Sequence, residues 1–496
     1  MTIRPSPEEA RGIAAAQGCL AVPICAEMYA DMVTPVDALR RLKGASRHCF
    51  ILESAEDSKS RGRYTFLGFD PSMEISCLDG EMRVRPASGE ARSFRTGDPS
   101  RHIREILAQR KSARVEGMPP FTGGLVGYFA YDYAKYYEPA LRLGASGPGD
   151  DERFNDVDLM LFDKVIAFDN LMQKIFLIAN IFAEGIEAEH ARGSALIAEM
   201  KAIIESGPRA EIEPARAASE FRALFGKDEF CAMAEKAKER IREGDIFQAV
   251  LSNRFDADFE GSVFDAYRVL RASNPSPYMF YFGGSDLEIA GASPETLVKL
   301  RDGRLSTFPL AGTRPRGATD EEDLALEREL LADEKELAEH NMLVDLGRND
   351  LGKISEFGTV EVEKYMSVLR FSHVMHIGSA VASKIRGGLD GLDAIGAVLP
   401  AGTLSGAPKI RAMQIIGELE KNRRGIYGGA IGYLDFAGNM DTCIAIRIAY
   451  KRNGRVYVRS GAGIVADSDP ESEYRECAGK SAAALDALRL AEGGLG

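Results

Sequence analysis

The segment 461–480, GAGIVADSDPESEYRECAGK, places charged side chains at regular intervals after a glycine-rich start. Asp469 and Pro470 are typical of an N-cap and a first helical residue, so they predict that a helix begins there. Three charged residues at i, i+3 and i+7 then share one face of the helix, namely Glu473, Glu476 and Lys480. Such a face suits a cation bound together with an anionic ligand, although alone it is more often a solvated surface.

A second segment, 333–353, predicts another helix with a carboxylate pair. Glu336 and Glu339 lie at i, i+3 and are followed by His340 and an apolar run. If the two helices meet, four carboxylates converge, and their repulsion would raise pKa values or require a counter-cation. Oxygen ligands without Cys, and without a His pair at zinc spacing, favour Mg²⁺ over zinc.

Other polar residues have an ordinary structural explanation when each is taken alone. Glu295 follows a predicted strand, where an acid is usually a cap, and His376 lies among apolar residues as a core histidine would. Two glycine-rich segments carry Thr313 and Thr403, and each alone predicts a tight turn.

Arg447 lies in CIAIRIA and is predicted inside an apolar strand. An unpaired buried charge costs several kcal/mol, so this arginine requires a carboxylate partner. Gly461, Ala462 and Gly463 follow the strand-like run Val456–Val458 and could offer backbone N–H groups to an anion.

Composition excludes several classes of function. The chain has 496 residues and a net charge of −13, which argues against a nucleic-acid or anionic-membrane partner. Seven cysteines without a CxxC indicate reduced thiols, and the N-terminus lacks the apolar core of a signal peptide. The uncharged stretch 12–26 is too short to span a bilayer. These features predict a cytoplasmic enzyme or binding protein.

The order of the predicted elements favours an α+β fold with layered antiparallel sheets and helices packed outside. A Pro/Ala/Glu-rich linker at 206–218 predicts two domains, 1–218 and 219–496. Leu159–Phe168 and Gln173–Ile181 are predicted as the two strands of a β-hairpin, Cys443–Tyr450 and Arg455–Arg459 as a strand pair, and 144–152 as a surface loop. Further strands and helices are predicted at the ranges listed here: His48–Glu53, Tyr64–Gly68, Ala188–Glu205, Lys227–Gly244, Phe247–Phe255, Met279–Phe282, Glu288–Ala292, Thr296–Leu300 and Gly428–Phe436.

Eight separated motifs together resemble the chorismate-utilising enzymes, in that family's order. They are GDIFQAVLSNRF (244–255), ASPE (292–295), PLAGTRPRG (309–317), KELAEHNMLVDLGRNDLGK (335–353), MHIGS (375–379), PAGTLSGAPKIRAM (400–413), YGGAIGY (427–433) and GAGIVADSDPESEYRE (461–476). The resemblance implies the chorismate-binding fold with an N-terminal regulatory domain. Within the family the chain looks like the large component of anthranilate synthases, which add ammonia to C2 of chorismate and eliminate pyruvate.

The resemblance also implies roles for individual residues. Mg²⁺ would be bound by Glu339 and Glu476 directly and by Glu336 and Glu473 largely through water. Glu295 would protonate the departing C4 hydroxyl and His376 would assist, with Thr403 and Gln248 beside them. The residues implied in substrate binding are Arg447, Lys480, Gly461, Ala462, Gly463, Gly312, Thr313 and Tyr427.

The N-terminal motifs ILESAE (51–56) and GRYTFLGFDP (62–71), with NPSPYMFY (274–281), resemble the segments that bind the feedback inhibitor L-tryptophan. The residues so implied are Glu53, Ser54, Arg63, Tyr64, Pro275, Tyr278 and Met279. The alternative explanation is a strand end and a turn packed at a domain interface.

Two positions distinguish the branches of the family. Isochorismate and salicylate synthases carry a lysine base where this chain has Gln248, and aminodeoxychorismate synthases typically carry a lysine where it has Ala311. Loss of both lysines favours ammonia as the nucleophile. No glutaminase motif follows, so the resemblance implies a separate glutamine amidotransferase subunit in a heterotetramer. Aminodeoxychorismate synthase component I, isochorismate or salicylate synthase, and an inactive tryptophan sensor remain as alternatives.

Overall fold

The computed structural model describes residues 2–54, 61–141, 152–370 and 374–495. Residues 144–151 of the predicted loop, and residues 55–56 of ILESAE, lie outside these ranges. The helices are α1 Pro7–Gln17, α2 Pro35–Ala45, α3 Pro99–Ala108, α4 Ile186–Ser206, α5 Lys227–Arg242, α6 Phe264–Ser273, α7 Asp320–Ala332, α8 Glu334–Gly352, α9 Gly391–Val398, α10 Lys409–Glu420 and α11 Pro470–Leu490. Short 3₁₀ turns lie at Arg61–Arg63, Tyr131–Tyr136, Pro139–Leu141 and Gly402–Leu404.

Strands make up the two sheets of the fold. In chain order they are β1 Ile3–Arg4, β2 Ala21–Tyr29, β3 Cys49–Glu53, β4 Tyr64–Phe69, β5 Met73–Leu78, β6 Glu81–Pro86, β7 Arg92–Arg95, β8 Gly124–Phe129, β9 Val157–Phe162, β10 Lys164–Asp169, β11 Lys174–Phe182, β12 Arg216–Ala217, β13 Arg222–Ala223, β14 Gln248–Glu260, β15 Tyr278–Gly283, β16 Leu287–Ser293, β17 Thr296–Arg301, β18 Arg304–Thr307, β19 Leu310–Pro315, β20 Glu361–Arg370, β21 Val374–Lys384, β22 Gly406–Ala407, β23 Ala430–Asp435, β24 Met440–Ile444, β25 Ile448–Arg452 and β26 Arg455–Ile464.

Both sheets combine strands from the two halves of the chain. The first has the order β1-β2-β11-β10-β4-β3-β15-β16-β25-β26-β14-β12, with β13 and β22 also paired to β14. The second has the order β19-β21-β18-β17-β24-β23-β8-β9-β5-β6-β7, with β20 paired to β21. The ladders between these strands are antiparallel, so the predicted α+β class is confirmed. The division into domains at 218 stays a prediction.

Three apolar layers hold the sheets and helices together. A core between the sheets contains Phe50 and Phe280 from the first sheet and Val126 and Ile431 from the second. A second core lies under α1, α2, α4, α6 and α11 on the outer face of the first sheet. The third lies under α3, α8 and α9 on the outer face of the second sheet. Helices therefore lie outside the sheets, as predicted, and none in the described ranges is long and apolar enough to cross a membrane.

Two strand predictions are wrong in the same way. The run Leu159–Phe168 is broken at Asp163 into β9 of the second sheet and β10 of the first. The run Cys443–Tyr450 is likewise broken into β24 of the second sheet and β25 of the first. A chain that crosses between two buried sheets stays apolar on both sides of the crossing, so the pattern shows no interruption.

Candidate active site

Two crossings between the sheets lie side by side and carry Glu295 and Arg447. The first runs from the end of β16 to the start of β17, and the second from the end of β24 to the start of β25. Two backbone hydrogen bonds join them: Ile444 N donates to Glu295 O at 3.0 Å, and Ala292 N donates to Arg447 O at 3.1 Å. The acid and the arginine therefore belong to one rigid unit although 152 positions separate them in sequence.

Glu295 has the properties of a general acid. Thr403, on the turn Gly402–Leu404, donates a hydrogen bond of 3.1 Å to Glu295 Oε1. Burial raises the pKa of Glu295 to about 7, although the Thr403 hydroxyl and the positive charge of Lys480 act in the opposite direction. A carboxyl group with this pKa is largely protonated just below neutral pH and can donate a proton.

Arg447 is not inside a strand, contrary to the prediction. It lies in the crossing with φ of 54°, a conformation that a non-glycine residue rarely adopts. Within the described ranges its guanidinium makes no ion pair with a carboxylate, and burial lowers the pKa of Arg447. The described residues therefore do not supply the predicted carboxylate partner.

His376, on β21, faces Thr313 across the ladder with β19. Its Nδ1 lies 3.0 Å from the Gly312 carbonyl and 3.0 Å from Thr313 Oγ1. Because a carbonyl only accepts, Nδ1 carries the proton of the neutral ring and Nε2 holds the lone pair. Burial lowers the pKa of His376, and the positive charge of Arg447 lowers it further.

Gly461 and Gly463 lie inside β26, which runs on to Ile464 instead of ending near Val458 as predicted. A Cβ atom at Gly463 would stand 2.7 Å from Gln248 Nε2, and one at Gly461 would stand 2.9 Å from Tyr427 Oη. Glycine is thus required at Gly461, where the same Cβ would also stand 2.8 Å from the Leu251 carbonyl oxygen, whereas at Gly463 a side chain would displace the Gln248 amide. Ala462 between them packs into the core beside α5 and α10.

Gln248 begins β14 and is 5% exposed. Its Oε1 is buried and has no hydrogen-bond partner in the described part of the chain. A buried acceptor without a donor is costly, so this amide oxygen has the capacity to bind a small N–H or O–H donor.

The two acidic helices direct their carboxylates toward each other. Asp333 caps α8 through the N–H groups of Lys335 and Glu336, and Asp469 caps α11 through that of Ser472, so the predicted helix start at Asp469 is confirmed. Such a cap contributes about 0.5–2 kcal/mol to helix stability. Burial raises the pKa of Glu339, with further contributions from the charges of Glu336 and Glu476. Burial also raises the pKa of Glu473, where Glu476 adds to the effect.

The four carboxylates do not close into a metal cage in this structure. Among the described residues no three His, Cys, Asp or Glu side chains are close enough to hold a metal ion. Glu476 is ion-paired with Lys480 at 2.7 Å, and Glu336 lies 3.8 Å from Arg314. The donor chemistry nevertheless fits Mg²⁺, because the facing groups are carboxylate oxygens and a cation would offset the burial and repulsion that raise the pKa of Glu339 and Glu473.

The predicted tryptophan-site residues surround a cavity of about 720 Å³. Its walls include Glu53, Ser54, Arg63, Tyr64, Tyr278 and Met279. Pro275 is not in the wall, where Pro277 occurs instead. Pattern analysis missed Lys299 and Asp441, which also line the cavity. The sequence signal that could have identified them is a single charged residue inside each of the short apolar strands TLVKLR and MDTCI.

Glu53 and Arg63, the charged residues among the predicted tryptophan contacts, already have protein partners. Glu53 Oε1 accepts hydrogen bonds from Tyr267 and, at 2.6 Å, from Arg271. Arg63 forms an ion pair of 2.8 Å with Asp169. A zwitterionic ligand would therefore have to share or replace these contacts.

Comparison with known proteins identifies the family of the chain. Residues 47–486 match the family of chorismate binding enzymes, and the chain belongs to that family. It is similar to anthranilate synthase component 1 of Aquifex aeolicus, with 46% identity over 95% of each chain. The relative of the same name in Acetivibrio thermocellus is 44% identical over 95% of this chain and 96% of its own.

Solved structures of related enzymes have a similar fold. Anthranilate synthase component I from Streptococcus pneumoniae TIGR4 is similar with a TM-score of 0.74 and 39% identity, covering 85% of this chain and 92% of that one. The menaquinone-specific isochorismate synthase of Escherichia coli shares the fold with a TM-score of 0.68 at 20% identity, covering 97% and 99% of the two chains.

Proposed function

We propose that this chain is the synthase component of a cytoplasmic anthranilate synthase, which converts chorismate and ammonia to anthranilate and pyruvate. The observation that carries the proposal is the similarity to anthranilate synthase component 1 relatives, which spans 95% of the chain. Gln248 supports this choice of branch, because an uncharged amide cannot act as the base that water addition requires.

Chorismate is a dianion, and the site supplies the charges to bind it. Arg447 has no carboxylate partner in the described residues, so it would bind one carboxylate of the substrate. Lys480 would bind near the other, together with the backbone at Gly463 and the Tyr427 hydroxyl. Orienting both carboxylates fixes the ring relative to Glu295 and His376.

Proton transfer is the second task of the site. Hydroxide is a poor leaving group, so Glu295 would protonate the C4 hydroxyl as it departs, and its pKa near 7 suits that role. His376 Nε2 would assist at the later elimination of pyruvate. Mg²⁺, which Glu339 and Glu476 would hold with Glu336 and Glu473, would offset the negative charge of a substrate carboxylate.

Ammonia would come from a separate glutamine amidotransferase subunit, as the component naming of the relatives suggests. Gln248 Oε1 would accept a hydrogen bond from the incoming ammonia and fill its open acceptor position. L-Tryptophan would inhibit the enzyme from the 720 Å³ cavity, whose walls combine residues before and after position 218.

The test is an incubation of the purified chain with chorismate, Mg²⁺ and ammonium salt. We expect fluorescent anthranilate and one equivalent of pyruvate, identified by mass, and we expect Glu295→Gln to abolish both. Aminodeoxychorismate without pyruvate would assign the folate branch. Isochorismate or salicylate would assign the water-adding branches, and either result would overturn the proposal.

A further inference from the structure

The hydroxyl of Tyr278 lies between the cavity and the candidate active site. Its ring lines the cavity, and its oxygen lies 2.8 Å from Asp441 Oδ1 and 2.9 Å from Thr296 Oγ1. Asp441 is held in turn by an ion pair with Lys299. The cavity wall is therefore hydrogen-bonded to the residue that follows Glu295 in the chain.

The directions of these hydrogen bonds follow from their chemistry. The Asp441 carboxylate can only accept a hydrogen bond, so the Tyr278 hydroxyl donates its one proton to that carboxylate. Thr296 must then donate to the Tyr278 oxygen. The result is a directed chain from Thr296 through Tyr278 to Asp441, in which removal of either hydroxyl breaks the link.

Thr296 is well placed to transmit this link to Glu295. It is 3% exposed, begins β17 and pairs with Cys443, next to Ile444, whose N–H binds the Glu295 carbonyl. On the other side of Glu295, Ser293 pairs with Tyr278 in the ladder of β15 and β16. The backbone on both sides of Glu295 is thus joined to Tyr278, at Ser293 through the strand ladder and at Thr296 through the hydroxyl.

We propose that Tyr278 is a positioning residue for Glu295 that acts through Thr296, and that a ligand in the cavity acts on the active site by displacing the Tyr278 ring. The inference rests on the proposed role of Glu295 as the acid. It assigns to one hydroxyl both the placement of that acid and the passage of the signal from the cavity.

A double-mutant cycle without any cavity ligand tests the positioning role. Tyr278→Phe and Thr296→Val should each lower kcat by about 2- to 10-fold, the effect of one lost hydrogen bond. The double variant should be no slower than the worse single variant, because both remove the same link. Tyr450→Phe, which removes a buried tyrosine hydroxyl from β25 outside the cavity, is the matched control and should keep wild-type kcat.

The pH profile separates positioning from general damage. A less firmly held Glu295 is better hydrated, so its pKa falls and the decline in kcat/KM at alkaline pH begins at a lower pH in both variants. Multiplicative losses in the double variant, or an unchanged pH profile in both single variants, would overturn the positioning role.

The ligand arm uses L-tryptophan with the full chain. Tyr278→Phe keeps the ring, so calorimetry should show binding within about tenfold of wild type, while the activity that remains at saturation should rise several-fold. Equal maximal inhibition of Tyr278→Phe and wild type would overturn the signalling role. If wild type fails to bind tryptophan, the proposed regulation fails, and the mutant cycle still decides the positioning role.

Discussion

Thr403 Oγ1 donates to Glu295 Oε1 at 3.1 Å, yet the pKa of Glu295 still stands near 7. A hydrogen bond to a carboxylate favours its charged form, so burial outweighs it at this position. Because turnover would need the protonated acid, we expect kcat/KM to fall as pH rises above about 7. A rate that stays flat to pH 9 would contradict this role.

The raised pKa of Glu295 also predicts how the stability of the folded protein depends on pH. A carboxyl group whose pKa is higher in the folded than in the unfolded chain stabilises the fold at low pH and loses that contribution as pH rises through about 7. Glu295→Gln should therefore match wild type near pH 4 and be more stable at pH 8, by up to about 3 kcal/mol. Thermal unfolding at the two pH values measures the difference.

Replacement of one metal ligand should remove the dependence on Mg²⁺. We expect Glu339→Gln or Glu476→Gln to abolish turnover at saturating Mg²⁺, with a Tm for the metal-free protein equal to or slightly above that of wild type, because repulsion is relieved. Asp486→Asn, at an exposed site on the same helix, is the matched control. Normal turnover of either glutamine variant would refute the assignment.

Gln248→Lys should introduce some addition of water. An amine of lowered pKa in this buried position could act as a base, so isochorismate or salicylate should appear beside anthranilate. Gln248→Met removes the amide oxygen without adding a base and should give neither hydroxylated product. Product analysis by mass decides, and full anthranilate synthesis by the lysine variant alone would mean that position 248 does not select the nucleophile.

His376→Ala should slow turnover by about 10²- to 10⁴-fold, the usual loss for an acid–base group. The ring has hydrogen bonds to Gly312 and Thr313, so some loss of stability is also expected. Measurement of kcat beside Tm separates the two effects. A loss of kcat below about tenfold would favour a structural histidine.

L-Tryptophan should inhibit wild type and should fail to inhibit Ser54→Phe. Ser54 lines the cavity, and a phenyl group there would occupy the space of the indole. Ser273→Phe, on the exposed end of α6, adds the same group outside the cavity and should leave inhibition intact. Equal sensitivity of the two variants would place the inhibitor elsewhere.

Local features of the fold were predictable from sequence, whereas the crossings between sheets were not. Asp469 and Pro470 marked a helix start because capping depends on a few adjacent residues. The break at Arg447 does not interrupt the apolar pattern of the sequence, since the residues before and after it are equally buried in two different sheets. One charged residue within that apolar run was the only signal, and we interpreted it as a buried charge in need of a partner.

In the candidate site, too, some features were predictable from sequence and others were not. Motif spacing identified the acidic helices, but only the fold shows that Glu336 lies 3.8 Å from Arg314 of β19. Thr296 could not be recognised as a neighbour of Tyr278, because the contact depends on a ladder between strands and not on a sequence interval.

The mixing of early and late strands in each sheet bears on how the chain can be made. During synthesis β8 emerges early, but its partner β23 emerges only when most of the chain has been translated. Until then one edge of β8 lacks its partner, as does the edge of β3 that later binds β15. The nascent protein must therefore be protected from aggregation almost to the end of translation, and a fragment cut at position 218 would expose both edges permanently.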